Sequence, residues 1–163
     1  MTLQYTLKFF DYWHLSSGLS AGAKLDSTVV KDENNLPYAS GKTIKGLLRE
    51  MAEEFGEIDF LHQTYFSNAA LDVSLKEQIV SNKLQDNLYD IIASTQIDSD
   101  GIAVDNSLRE IEVVVPLLLH GEIRDIQQEH LQTLSKSLKL IKRMGLNRNR
   151  GLGRCEFSVE ERR

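Results

Sequence analysis

The segment Met144–Arg154 reads MGLNRNRGLGR, with three glycines and three arginines in eleven residues. Glycine admits positive φ and lets backbone N–H groups come close to a ligand. Arginine presents a planar, permanently charged fork matched to phosphate oxygens. Together they suit a nucleic-acid backbone. The plain structural alternative is a helix C-cap at Gly145 followed by a tight turn. It accounts for one glycine and for none of the arginines.

Other residues invite chemistry more weakly. Gly41-Lys42-Thr43 opens a helical stretch, but a Walker A loop needs glycine five residues before Gly41, and Leu36 stands there. What survives is a helix N-terminus with Lys42 beside it, a place for a phosphate or simply a capped helix. Asp26 falls in a loop, where a carboxylate can hold a hard metal ion or orient a ribose hydroxyl. A turn aspartate is the commoner role. His14, next to Trp13, suits a general base or a stacking partner. A half-buried strand-end histidine is the bland alternative. His62, His120 and His130 have no companions at metal-ligand spacing, and there is no nucleophile elbow, HExxH or GxGxxG.

The 163 residues correspond to one domain, expected to span 1–163, and carry a net charge of −5. Between residues 130 and 155, however, stand seven basic residues and no acid: Lys136, Lys139, Lys142, Arg143, Arg148, Arg150 and Arg154. Local potential, not net charge, decides where a polyanion binds. A solvated helix face is the ordinary alternative. The one cysteine, Cys155, excludes an intramolecular disulfide and fits a reducing compartment. Lys8, Asp11 and His14 interrupt any leader-like apolar run, and no apolar stretch approaches the roughly 18 residues of a membrane span. A cytoplasmic protein without membrane attachment is expected.

The elements that must position these residues follow from periodicity. Residues 2–10 alternate Leu3, Tyr5, Leu7 and Phe9 with mostly polar neighbours, a strand with one wet face. Ser16–Gly22 reads as a loop. Ser27–Val30 and Leu36–Ala39 are short extended pieces around the turn KDENN. Ser40 is an N-cap. The helix after it carries Ile44, Leu47, Leu48, Met51 and Phe55 on one side, with Lys42, Lys45 and Arg49 largely on the other. Residues 64–73 can form a second strand. Residues 74–92 are ambiguous, and 94–107 hold a DG turn in a hairpin or loop. Glu110–Ile123 reads as one strand despite Pro116. Ile126–Arg143 is a helix with Leu131, Leu134, Leu138 and Ile141 as its apolar stripe. Arg154–Val159 closes as a strand. The order predicts an α+β, ferredoxin-like (RRM-like) βαββαβ antiparallel sheet with helices on one face and a hairpin insertion.

WHLSSG, then Asp26, then VVKDENNLPYASGKTIKGLLRE resembles the N-terminal signature of the RAMP superfamily of CRISPR-associated proteins. TQIDSDGIAVDNSLREIEVV resembles the middle segment of those proteins. NRGLGRCEF resembles their glycine-rich loop and the strand after it. The likeness covers roughly residues 13–50, 95–123 and 143–159, whereas 51–94 matches nothing familiar. It departs from the pattern at Ala23-Lys24-Leu25, where the family usually has glycines.

The likeness is to backbone subunits of type III effector complexes, which assemble as a filament along guide RNA and carry a thumb-like hairpin. It implies partners: guide RNA, complementary target RNA, other effector subunits and further copies of this chain. It implies RNA contacts from His14, Ser17, Lys42, Lys45, Arg49, Arg143, Asn147, Arg148, Arg150, Gly151, Gly153 and Arg154. It implies that Asp26 serves cleavage of target RNA with Mg²⁺ or another divalent cation. The alternatives are a non-catalytic RNA-binding subunit of the same kind of complex, and a guide-processing endoribonuclease with His14 as base.

Overall fold

A computed structural model describes residues 1–17 and 27–161. Strand β1 (Leu3–Phe9) buries Leu3, Tyr5, Leu7 and Phe9, the alternation expected from its period. Helix α1 (Gly41–Glu53) starts at Ser40, whose side chain accepts from the Lys42 backbone N–H. It buries Ile44, Leu48 and Ala52, while Phe55 lies past its end and is 43% exposed. Then come β2 (Tyr65–Phe66), α2 (Val73–Ser81), β3 (Tyr89–Ser94), β4 (Arg109–Val114), β5 (Leu118–Arg124), α3 (Leu131–Leu140) and β6 (Cys155–Glu161).

The main sheet has the order β2-β5-β1-β6, every pair antiparallel. Two β-α-β crossovers interleave, so this is the ferredoxin-like topology. Helices α1 and α3 pack beside each other and cover one face with Ile44, Leu48, Leu134 and Leu138. The core gathers Leu3, Leu7, Leu119, Ile123 and Phe157 beneath them. The ring of Phe9 stacks on Trp13, centroids 4.3 Å apart, and the indole N–H donates to the Val115 carbonyl.

Between β2 and β5 the chain makes an insertion, and most departures from the sequence reading lie there. The strand expected over 64–73 contracts to Tyr65–Phe66, with single bridges from Ala69 to Ala39 and from Ala70 to His120. The ambiguous stretch 74–92 resolves into α2, a 3₁₀ turn at Gln85–Leu88 and the start of β3. Residues 94–107 do form a hairpin: Ile97 bridges Ala103, Gly101 has φ +78°, and the Asp98 carboxylate accepts from Asp100 and Ile102 N–H. This hairpin caps a separate two-stranded ribbon, β3-β4.

The single strand expected over Glu110–Ile123 is two. Pro116 has no N–H to donate, and the chain changes sheet there. Val115 N–H bonds Leu88 on the ribbon side, while the Leu117 carbonyl accepts from Phe9 on the main sheet. The last helix is also shorter than expected. It ends at Leu140 because Lys142 and Met144 are drawn into strand-like pairing with Cys155 and Gly153.

Gly121 shows how tightly the sheet is filled. It lies opposite Tyr5 in the register, and a Cβ there would come 2.4 Å from the Tyr5 ring, whose hydroxyl donates to the Ser67 carbonyl at 2.8 Å. Gly121→Ala is therefore expected to destabilise the fold by about 1–3 kcal/mol in urea denaturation. In the double variant with Tyr5→Leu, the two effects should add to less than their sum.

Candidate nucleic-acid interface

The glycine-rich segment forms a hairpin that extends the main sheet beyond β6. Cys155 N–H donates to Lys142, and Met144 N–H to Gly153, while Arg143 and Arg154 bridge. The outgoing arm is in turn bonded to the continuation of β1: Phe10 N–H donates to Arg154 and Gly153 N–H to Tyr12, at 2.9 and 2.8 Å. Leu146 N–H reaches the His14 carbonyl at 2.9 Å.

These contacts explain two of the three glycines. A Cβ at Gly145 would lie 2.3 Å from the His14 carbonyl oxygen; at Gly153 it would lie 2.0 Å from that of Met144. Both have positive φ, so glycine meets a conformational and a steric demand at once. Gly151, at φ +92°, has open space on its Cβ side. Asn147 supplies a further positive φ, and its carbonyl accepts from Arg150 and Leu152 N–H to close the turn. The glycines expected to approach RNA thus divide: Gly151 is exposed in the loop, whereas Gly153 is buried against Met144.

The arginines are turned outward. Arg143, Arg148, Arg150 and Arg154 are exposed, as is Asn147. Arg143 donates to the Arg148 carbonyl at 3.2 Å, spending one of its five N–H donors. Arg154 pairs with Asp11 at 3.3 Å. A cavity of about 310 Å³ runs from Leu47, Glu50 and Met51 of α1 to Lys142, Arg143 and Arg148. Arg150 faces the ribbon hairpin across a cavity of about 550 Å³ that Gln96, Asp105 and Arg109 also line.

The other expected residues fall in different places. Lys42 and Arg49 are exposed on α1. The Lys45 ammonium donates to the Thr64 carbonyl at 2.7 Å, near β2 at the sheet edge opposite β6. The α1 N-terminus is filled rather than open: Gly41 N–H donates to the Asn68 side chain and Lys42 N–H to Ser40. Gly41 is a packing residue there, since a Cβ would lie 2.2 Å from the Phe66 carbonyl.

His14 is fully buried. Its Nδ1 lies against the Glu112 carbonyl, which can only accept, so Nδ1 carries a proton. Its Nε2 meets the Ser27 hydroxyl at 3.0 Å. Both ring nitrogens are occupied, so His14 braces Glu112 against Ser27 in this structure. Ser17 is bound to Thr28 through backbone and hydroxyl. Asp26 lies outside the described residues. Among those described, no group of three His, Cys, Asp or Glu is placed to hold a metal, and no helix is long and apolar enough to cross a membrane.

Charge is graded along the open face of the sheet. Opposed residues share a face, so the rows can be read from the register. Gln4 is flanked by Glu122 and Glu160; Thr6 by His120 and Ser158; Lys8 by Leu118 and Glu156. The next row is Phe10, Arg154 and Arg143. The acidic and the basic ends stand roughly 20 Å apart at strand rise. Phosphates are repelled at one end and attracted at the other. Sequence reasoning missed Phe10, although its place one step beyond an alternating strand was the available signal.

A ferredoxin-like sheet with one basic, glycine-built edge is the class of protein that this fold and site define. The chain belongs to the RAMP superfamily, whose family model matches residues 6–156. Its fold is similar to a chain in a cryo-EM structure of type III-B Cmr-beta bound to cognate target RNA, with TM-score 0.74 and 11% identity over 98% of this chain and 97% of that one. It is also similar to a chain of type III-B Cmr-beta in the apo state, with TM-score 0.71 and 12% identity over the same shares. No curated protein matches the sequence.

Cys155 anchors the hairpin from beneath, and burial pushes its thiol up to about 12, with Lys142 opposing only in part. The unfolded chain ionises this thiol near 9, the folded chain near 12. Stability therefore falls as pH rises through that window, because the unfolded state releases the proton first. The urea midpoint of wild type should drop between pH 9 and 11 more steeply than that of Cys155→Ala. Iodoacetamide at pH 8.5 should label the thiol fast only in denaturant.

Proposed function

We propose that this chain is a backbone subunit of a type III CRISPR effector that holds guide RNA along the edge formed by Lys142–Arg154. The observation that carries the reading is the basic hairpin itself. Its backbone is locked by β1, and Arg143, Arg148, Arg150 and Arg154 are all presented to solvent in an otherwise acidic chain. Membership of the RAMP superfamily and a fold shared with chains of type III-B Cmr-beta support it. The neighbouring cavity, which Leu47, Glu50 and Met51 of α1 line opposite Lys142, Arg143 and Arg148, borders the same surface. Copies of this chain and other effector subunits are the expected neighbours along the RNA.

The finer reading is that the subunit cleaves target RNA at Asp26. A ribose 2′-oxygen would bond to the adjacent phosphorus, the bond from phosphorus to the 5′-oxygen would break, and the 2′-hydroxyl proton would leave as the 5′-oxygen gains one. The Asp26 carboxylate would orient that hydroxyl. A divalent cation such as Mg²⁺ supplies charge neutralisation when bound, and Asp26 with RNA phosphate oxygens is the donor set this chain offers it.

Charge reversal at Arg148 and Arg150 tests the binding surface. The double variant should bind single-stranded RNA more weakly with a flatter salt dependence, since each lost phosphate contact removes about one released counterion. Unchanged affinity and slope would place the RNA elsewhere.

Asp26→Asn tests the chemistry. Asparagine keeps the size but loses the charge, so cleavage of guide-complementary RNA with Mg²⁺ should vanish while RNA binding and assembly persist. EDTA should abolish wild-type cleavage. Equal cleavage by Asp26→Asn would move the chemistry to another residue. No cleavage by an assembled, target-bound wild type would leave a non-catalytic RNA-binding subunit.

A further inference from the structure

Phe10 stands at the basic end of the open sheet face and is 37% exposed, unlike the buried Phe9 beside it. The Lys8 ammonium lies 5.1 Å from its ring centroid and the Arg154 guanidinium 5.2 Å. Phe10, Arg154 and Arg143 form one cross-strand row. A pocket of about 430 Å³ opens there, lined by Phe10, Lys142, Arg143, Arg154, Cys155 and Glu156. That volume is within the usual range for a small-ligand site of roughly 300–1,000 Å³.

The composition distinguishes possible ligands. A bare phosphate needs cations and gains nothing from an aromatic ring or from Glu156. A nucleotide uses every part. Its base stacks on the ring, its phosphate meets the guanidinium forks, and a carboxylate can accept from an exocyclic amine. Asp11 pairs with Arg154 at 3.3 Å beside the same row.

We propose that this pocket is a subsite for one unpaired nucleobase of a bound single-stranded RNA, stacked on Phe10 with its phosphate at Arg143 and Arg154. The inference rests on the RNA-binding reading above and adds a stacking contact that charge alone does not provide.

The test uses a fluorescein-labelled single-stranded RNA of about a dozen nucleotides and measures affinity across a salt series for wild type, Phe10→Ala and Phe10→Trp. Phe10→Ala should lose between about 5-fold and about 100-fold at fixed salt. Its salt slope should match wild type, because no phosphate contact is lost. Phe10→Trp should restore binding, since indole stacks at least as well as phenyl. An Ala variant within twofold of wild type would overturn the subsite and leave the basic edge as the RNA surface. A loss that Trp does not restore, or one that comes with a flatter slope, would also overturn it. No RNA binding by wild type itself would overturn the reading beneath it.

Discussion

Three backbone hydrogen bonds hold the site together. Phe10 N–H to Arg154, Gly153 N–H to Tyr12 and Leu146 N–H to His14 fasten the 142–155 hairpin onto the continuation of the central strand. Because the bonds are made by main chain, they engage none of the hairpin's side chains. They also dictate where glycine must stand. Gly145 and Gly153 sit where another carbonyl comes too close for a Cβ, and those carbonyls belong to His14 and Met144. His14 is placed by the same arrangement. Its carbonyl serves the hairpin while its ring is held by Glu112 and Ser27, so one residue joins hairpin, ribbon and the segment that follows Asp26.

Glu112 repeats that division of labour from the ribbon side. Its carbonyl receives the His14 ring, and its carboxylate takes the Lys31 ammonium at 2.8 Å and the Val29 N–H at 3.1 Å. Both partners are half-buried, so the ion pair is screened less than one fully at the surface. Its value is in position: breaking a buried pair leaves an uncompensated charge, which penalises any other course of the chain. The described chain that begins at Ser27 is thus anchored at Ser27, Val29 and Lys31.

Much of the scaffold was legible because it rests on local rules. The alternation in β1, the Ser40 cap and the Leu134 and Leu138 part of the last helix's apolar stripe state their own geometry, and the structure places them as read; Leu131 is half-buried and Ile141 is buried beyond the helix end. Of the ribbon, the DG hairpin and the β4 side were legible and β3 was not. Ile91 and Ile92 in β3 pair with β4 about twenty residues later, and neither periodicity nor a turn signal next to them announces that partner. The helix over Ile126–Arg143 looked continuous because Lys142 and Arg143 are good helix formers. Tertiary pairing with Cys155 and Arg154 overrode that propensity. At the site, the arginines were visible by type. The burial of His14, the capture of Lys45 by Thr64 and the packing role of Gly153 were not, because each depends on a carbonyl distant in sequence.

The acidic balance of the chain is consistent with binding a polyanion once the rows of the sheet are considered. Glu122 and Glu160 flank Gln4 at one end of the open face, and at the other Arg154 lies beside Phe10 with Arg143 beyond it. Over roughly 20 Å, about two Debye lengths at physiological salt, each end acts almost independently of the other. Glu122 and Glu160 therefore do little to weaken phosphate binding at the basic row, but they oppose a strand laid along the whole face. An anionic ligand guided by this field would lie across the strands at the hairpin end. There the hairpin, the α1 side and the ribbon loop border the adjoining cavities. The sheet supplies position, and the field along it favours an anion at the hairpin end.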